Sequence, residues 1–252
     1  MFGDTSMIRS ASKNPATSPE LTEFLKNTIS AKRAQVLTVL KEATTQFPAI
    51  TFANSFGAED MVITDIIMRE KLNIEIFSLD TGRLPAETYT LMAETESRYS
   101  AKLKVYFPKH DVIEQYIQTN GINAFYESID LRKACCHMRK VEPLIRALHG
   151  KQAWVTGMRA EQATTRANLP VQEFDEGNHL EKFNPLSDWS EQEVWAYIRL
   201  HEVPYNKLHD AFYPSIGCAP CTRAVAIGED VRAGRWWWED PTNKECGLHV
   251  NK

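Results

Sequence analysis

From Glu20 onward the apolar positions Leu21, Phe24, Leu25, Ile29, Val36, Leu37 and Leu40 recur mostly at three- and four-residue steps, the spacing of one or two amphipathic helices. Beyond them the period changes. AITFANSF (49–56), IEIFSLD (74–80) and KLKVYFP (102–108) are short apolar runs that predict strands, and AEDMVITDIIMREK and PAETYTLMAETESRYS between them predict helices. Residues 130–149 read as a helix with Pro143 as a kink, AWVTGMR (153–159) as another strand, and WSEQEVWAYIRLHEV as a surface helix capped by Asp188 or Ser190. Strands that alternate with helices require crossover connections, so the expected fold class is α/β, a mostly parallel sheet flanked by helices. Residues 1–19, rich in Ser, Thr, Pro and Asn without periodicity, are expected to form a mobile head. Residues 226–252 carry three consecutive tryptophans but no regular period, and are expected to form a C-terminal tail folded over another part of the molecule.

Composition narrows the function. The 252 residues are 43% hydrophobic and 25% charged, enough to bury a full core. No apolar run reaches the roughly 18 residues of a membrane span, and the start has no continuous apolar stretch of the secretory kind, so a cytoplasmic protein is expected. Lys plus Arg number 29 against 33 for Asp plus Glu, and the net charge of -4 gives no global attraction for nucleic acid. An anion site must therefore be local. Three strand ends carry polar, glycine-containing turns, SFGAED at 55, LDTGR at 79 and GMRAEQ at 157, which a parallel sheet brings to one edge where ligands bind. In the first, Gly57 permits close backbone approach and a helix starting near Ala58 offers N–H groups to a phosphate. The segment is neither a Walker A loop nor a three-glycine dinucleotide fingerprint. Arg159, Gln162 and Arg166 follow at three- and four-residue steps, so one helical turn would align two guanidiniums and an amide for phosphate or sulfate oxygens.

The cysteines divide into four plus one. Cys135 and Cys136 are adjacent, Cys218 and Cys221 form a CxxC, and Cys246 stands apart in ECGLH. Two such pairs can make a four-sulfur site for zinc or an iron–sulfur cluster, and either metal fits the count. Neighbouring helical residues point about 100° apart, so a vicinal pair favours a multi-iron cluster with separated corners. A redox CxxC with two buried cysteines is the metal-free alternative. Lys140, four residues after Cys136, falls on the same helical face, near the thiolates or beside an anionic ligand. Cys246 is the candidate nucleophile, with Arg232, Arg235, Lys244 and His249 as the cations that would hold it as thiolate.

Taken together, SFGAED, LDTGRLPAET, CCHMRKVEPL, GMRAEQATTRA, NPLSDWSEQEVWAYI, GCAPCTR, RAGRWWWED and ECGLH resemble the assimilatory sulfonucleotide reductases, in particular the bacterial iron–sulfur adenylylsulfate (APS) reductases. The resemblance runs from about Ser55 to His249. It implies an adenine-nucleotide hydrolase-like fold of the PP-loop type, with 20–225 as a nucleotide- and cluster-binding domain. It implies thioredoxin-dependent (or glutaredoxin-dependent) conversion of APS to sulfite and AMP, a [4Fe-4S] cluster on Cys135, Cys136, Cys218 and Cys221, and Cys246 as nucleophile. On the same basis Lys140, Arg159, Arg232, Arg235 and His249 match positions that handle the phosphosulfate, while Ser55, Gly57 and Asp80 lie in loops that match the nucleotide cradle. Gly234 and Gly247 are candidate pivots for the tail. The PP-loop ATP pyrophosphatases carry SGGKDS where this chain has SFGAED, which disfavours ATP cleavage. Reduction of the 3'-phosphorylated substrate PAPS, alone or alongside APS, and a zinc-binding nucleotide sensor without turnover are the alternatives. A homo-oligomer is left open.

Overall fold

The structure, a computed structural model, describes residues 14–162 and 168–240. Six strands form one sheet in the order β3-β2-β1-β4-β6-β5. They are β1 (Ile50–Ala53), β2 (Glu75–Leu79), β3 (Lys104–Tyr106), β4 (Ala153–Val155), β5 (Gln172–Asp175) and β6 (Leu180–Phe183). All pairings are parallel except β5 with β6. The helices are α1 (Glu23–Gln46), α2 (Ala58–Arg69), α3 (Ala86–Tyr99), α4 (His110–Asn120), α5 (Ile129–Cys136), α6 (Glu142–Leu148) and α7 (Glu191–Leu200). Among the described residues no helix is long and apolar enough to cross a membrane.

Side-chain alternation along the strands explains the layers. Ile76, Ala153 and Val155 join a core with α1, α2 and α7, whereas Phe77 and Trp154, one residue out of phase, join a second core with Leu144, Ala147 and Leu148 of α6. The sheet is thus covered on both faces, the condition for parallel strands to be buried. Ser190 starts α7 with a reciprocal cap: its side chain accepts from the Glu193 N–H while the Glu193 carboxylate accepts from the Ser190 N–H. Of the two caps expected, Ser190 is the one used.

Two departures from the sequence reading matter for function. The polar stretch after Arg159 contains the β5–β6 hairpin, whose strands carry Glu173, Glu181 and Lys182 and so lack an apolar signal; Lys182 is buried against Glu173 at 2.9 Å. The helical stretch expected over 130–149 is interrupted by a π turn, His137–Val141, in which the Glu142 N–H donates to the His137 carbonyl. Pro143 follows at once. With no N–H to give and a ring that crowds the carbonyl four residues back, it fits a widened turn there rather than a simple bend. Pro15–Thr17, counted with the head, make a short 3-10 turn in which Thr17 donates to the Asp210 carboxylate at 2.9 Å. The helix α4 was not anticipated.

Asp65 of α2 is fully buried and ties the helices together. Its carboxylate accepts from Tyr99 at the end of α3 (2.7 Å), Tyr197 of α7 (2.8 Å) and Arg69 (2.8 Å). Removing it leaves the Tyr99 and Tyr197 hydroxyls without their acceptor, about 1–3 kcal/mol for each unsatisfied group, while Arg69, 42% exposed, can turn to water. Asp65→Ala is therefore expected to lower the unfolding free energy by about 2–4 kcal/mol, read from the urea midpoint; a shift under about 1 kcal/mol would contradict the role assigned to it.

Candidate active site

A cavity of about 350 Å³ lies across the carboxyl ends of β1, β2 and β4. Strand order reverses between β1 and β4, so this is the crevice where open α/β sheets bind ligands. All three strand-end turns contribute: Ser55 and Gly57 after β1, Thr81 after β2, and Gly157 and Arg159 after β4.

Asp60, in the first turn of α2, welds two of these turns together. Its carboxylate accepts from the Ser55 N–H and hydroxyl, each at 2.6 Å, and from the Gly157 backbone. Burial raises its pKa to about 6 against the hydrogen bonds from Ser55 that pull it down. Gly157 has to be glycine, since a Cβ there would sit 2.1 Å from the Asp60 Oδ1. Gly57 is different from expectation. Its φ of -70° is ordinary and a Cβ would meet nothing closer than 3.4 Å, so its place in the cavity wall, not backbone strain, is what a side chain would disturb. The left-handed residue of the turn is Phe56, φ 63°, held by its N–H bond to Asn54 Oδ1 at 2.6 Å.

Asp80 stands back from the cavity wall. Its Oδ1 accepts from the Gly82 N–H at 2.7 Å and the Tyr89 hydroxyl at 2.9 Å, a local turn and staple. It shapes the cradle, and its neighbour Thr81 lines it. Arg159 does reach the cavity, but buried and already engaged: Nε donates to Glu59 (2.8 Å), and Nη1 to Glu161 (2.7 Å) and the Trp189 carbonyl (3.2 Å). The expected helical turn is a 3-10 turn, Ala160–Gln162, and Arg166 lies outside the described residues. The other expected cations, Lys140, Arg232 and Arg235, all line the cavity. Arg235 is 9% exposed, with Nη1 3.4 Å from both Ser215 Oγ and the Ile216 carbonyl. A Cβ on Gly217 would approach its Nη2 to 2.4 Å, so Gly217 makes room for this guanidinium.

Cys135, Cys136, Cys218 and Cys221 line a second, smaller cavity with Arg83, Arg132, Arg139 and Lys140 around them. All four are free thiols. Among the described residues no three Cys, His, Asp or Glu side chains close on one point as ligands of a single ion. Burial pushes the Cys221 thiol up to about 12, with Cys218 and Cys136 adding to the rise and Lys140 and Arg235 opposing it. Burial also raises Cys135, and Arg139 counters it. Such thiols ionise only against added positive charge. As four free thiols lining one cavity, the set fits a thiolate-bound metal group in its donor chemistry. Two residues link the cavities: Lys140 lines both, and Thr81, in the first, accepts from the Cys218 thiol at 3.3 Å and from Arg139 Nη1, through its carbonyl, at 2.6 Å.

The described part of the expected tail, through residue 240, is packed against the cysteines. Trp236 N–H donates to the Cys221 carbonyl at 3.1 Å, and Arg235 bridges Thr222 in antiparallel fashion. The Trp236 ring has Arg132 at 4.8 Å and Arg235 at 4.7 Å from its centroid. Arg132, fully buried, makes a two-pronged ion pair with Glu239 at 2.9 and 2.7 Å. Gly234, expected as a pivot, has a packing role here: a Cβ there would lie 2.3 Å from the Arg223 carbonyl oxygen. Cys246 and His249, with Lys244 and Gly247, lie outside the described residues. Sequence reasoning missed Asp60, Thr81, Arg132, Arg139 and Glu239. Arg132 and Glu239 are 107 positions apart, and no local spacing signals such a pair.

Residues 49–224 match the family described as the phosphoadenosine phosphosulfate reductase domain. An adenosine 5'-phosphosulfate reductase of Allochromatium vinosum is 57% identical over 223 residues, covering 88% of this chain and 87% of that one. A phosphoadenylyl-sulfate reductase of Candida auris, solved as a phosphate complex, is 31% identical with a TM-score of 0.65, covering 82% of this chain and 100% of that one. An FMN adenylyltransferase of Candida glabrata shares the fold alone, 15% identical with a TM-score of 0.55 over 94% of this chain and 80% of that one.

Two outcomes follow from this geometry. Because the Asp60 carboxyl titrates near 6 when folded and near 3.9 when unfolded, the folded state holds its proton more tightly. Its contribution is most favourable below about pH 4 and is lost as pH rises through about 6. Wild type should therefore lose stability relative to Asp60→Asn between pH 4 and 7, by about 2–3 kcal/mol in urea titrations; parallel pH profiles would refute the shift. Glu239→Ala leaves the buried Arg132 charge without its carboxylate, and a loss of about 3–5 kcal/mol is expected by the same measurement.

Proposed function

The chain belongs to the phosphoadenosine phosphosulfate reductase domain family, among its adenosine 5'-phosphosulfate reductases, and from that premise we propose how its residues carry the reaction. The enzyme reduces adenylylsulfate in sulfate assimilation. In the proposed scheme the nucleotide occupies the 350 Å³ cavity, with its phosphosulfate toward Lys140, Arg232 and Arg235. Ser55 and Gly57 form the floor, and the first turn of α2 offers its N–H groups to phosphate oxygens. Arg159 orders the wall through Glu59 and Glu161.

The chemical difficulty is electrostatic. A thiolate has to approach a sulfur that already carries anionic oxygens, and fixed cations offset that repulsion as charge develops. The Cys246 thiolate attacks the sulfur of adenylylsulfate, the sulfur–oxygen bond to phosphate breaks, and AMP leaves with the bridging oxygen. Cys246 is left as an S-sulfonate. A thiolate of thioredoxin, or of glutaredoxin, then attacks the Cys246 sulfur and sulfite departs; the second thiol of the reductant resolves the mixed disulfide and returns Cys246. His249 assists at the phosphosulfate. Cys246 follows Asp240 by six positions, a contour of at most about 20 Å, and 234–239, Arg235 among them, are anchored beside the cysteines. The two electrons come from the dithiol.

Cys135, Cys136, Cys218 and Cys221 would hold a [4Fe-4S] cluster. Four thiols around a shared space, two of them adjacent in sequence, suit a cluster with four separate irons better than one tetrahedral ion. When bound, the cluster supplies a fixed charge distribution beside the reacting group. The observation that carries this scheme is the position of Lys140, which lines both cavities and so answers to both the thiolates and the substrate. A cytoplasmic location fits a thioredoxin-dependent enzyme.

Mass spectrometry of protein mixed with adenylylsulfate is expected to find an added SO3 on the Cys246 peptide, removed by reduced thioredoxin. Sulfite formation with that peptide unmodified would reject the scheme. Cys246→Ser should retain iron and acid-labile sulfide and bind nucleotide but release no sulfite. Lys140→Ala should lower kcat roughly 100- to 1,000-fold, as loss of one preorganised charge at a transition state does, with the fold intact; an unchanged kcat would remove Lys140 from the account.

A further inference from the structure

The cavity borders a buried base that sulfur transfer does not use. His209, 4% exposed, sits in the 3-10 turn Lys207–Ala211 and lines the cavity with Trp195, Glu191 and Glu59. Its placement is over-determined. Trp195 meets the ring edge to face at 5.1 Å, the backbone N–H donates to the Asn206 carbonyl at 3.1 Å, and the backbone carbonyl accepts from Asn14 Nδ2 at 3.2 Å. Asn206 is itself fixed, donating to Thr88 Oγ1 at 3.0 Å. The ring also bonds the Tyr213 backbone, while Nε2 is buried without a hydrogen-bond partner. Buried polar atoms in native proteins are paired, and an unmatched one costs about 1–3 kcal/mol. A cavity wall is where a ligand supplies the missing half.

The chemistry of the missing partner can be narrowed. Burial favours the uncharged imidazole, and with one nitrogen directed to a backbone carbonyl the other presents a lone pair. Glu59 and Glu191 nearby are acceptors as well, and Arg159 directs its Nε to Glu59 and its Nη1 to Glu161 and the Trp189 carbonyl. The partner must donate. A phosphosulfate group offers only acceptor oxygens at neutral pH and would repel a lone pair, so it belongs at the Lys140, Arg232 and Arg235 end. The nucleoside half has donors.

We propose that His209 Nε2 accepts a hydrogen bond from a nucleoside donor of the substrate, a ribose hydroxyl or the amino group of the base, and so sets nucleotide selectivity without entering the sulfur chemistry. This rests on the reading of the cavity as the adenylylsulfate site. The role is binding that is equal in ground and transition states, which moves KM and leaves kcat in place.

Calorimetric titration of AMP into the cluster-loaded protein tests it. His209→Phe keeps a ring against Trp195 but has no acceptor, and should weaken AMP about tenfold and raise KM for adenylylsulfate by a similar factor with kcat within about twofold. His209→Gln, which restores an acceptor, should recover most of that loss; His209→Leu replaces the Phe variant if thermal unfolding shows that it does not fold. Repeating the titration with 2'-deoxy-AMP, 3'-deoxy-AMP and inosine monophosphate identifies the donor: the analogue lacking it should bind wild type about tenfold more weakly and be indifferent to His209→Phe. Equal AMP affinity in wild type and His209→Phe, or one uniform loss across all four nucleotides, overturns the proposal. Failure of wild type to bind AMP at all would instead overturn the reading of the cavity.

Discussion

Two clusters of negative charge must be kept close without repelling each other, and the rest of the molecule follows from how that is done. Three buried thiols and a half-buried fourth can ionise only against positive charge, and in the proposed scheme the substrate brings anionic oxygens to the neighbouring cavity. The fold answers with cations from three separate segments: Arg83 after β2, Arg132, Arg139 and Lys140 on the broken helix, and Arg232 and Arg235 far along the chain. Lys140 belongs to both cavities and Thr81 touches both through side chain and carbonyl. In the proposed scheme a metal group held by the cysteines would therefore act on substrate chemistry through protein dipoles and charges, with no need for contact.

Buried charge of this density has to be fastened. The chain does so by threading residues 234–239 back over the cysteines, where Trp236 lies near two guanidiniums and the Arg132–Glu239 pair is shielded from water. A buried ion pair is a weak source of net stability but a strong penalty against separation. It serves to define one arrangement, the one in which Arg235 faces the cavity. Gly217 and Gly234 are part of the same fastening, since each leaves room that a methyl group would fill.

The apolar runs of β1 to β4 and the periodicity of α1, α2, α3 and α7 were readable because burial on one or both faces leaves a periodic trace. The β5–β6 hairpin was not, because an edge strand with exposed Phe174 and charged neighbours carries little of that trace. The four clustered cysteines and the three cavity-lining cations Lys140, Arg232 and Arg235 could be picked out from residue type and motif. What those means could not give was the state of each group: that Arg159 is engaged by two glutamates, that Asp80 staples its own loop, that Phe56 rather than Gly57 takes the left-handed turn. Such facts depend on which of several polar neighbours a side chain turns to, as with Asp80 and Tyr89, on a partner a hundred residues away, as with Arg159 and Glu59, or on a single backbone angle.

The π turn at His137–Val141 lets one helical stretch serve two fixed attachments. A wide turn is one residue longer than the α-helical path it replaces, and that extra residue sets the angle between the vicinal cysteines on one side and Leu144 and Leu148, which anchor to the sheet, on the other. Regular helix over the same number of residues would swing everything upstream through about 100°, whereas the wide turn takes up the extra residue and leaves the flanking turns in nearly the phase of an uninterrupted helix. The five positions His137–Val141 thus act as a spacer that lets Cys135 and Cys136 keep their place beside Cys218 and Cys221 while Leu144 and Leu148 keep theirs on the sheet.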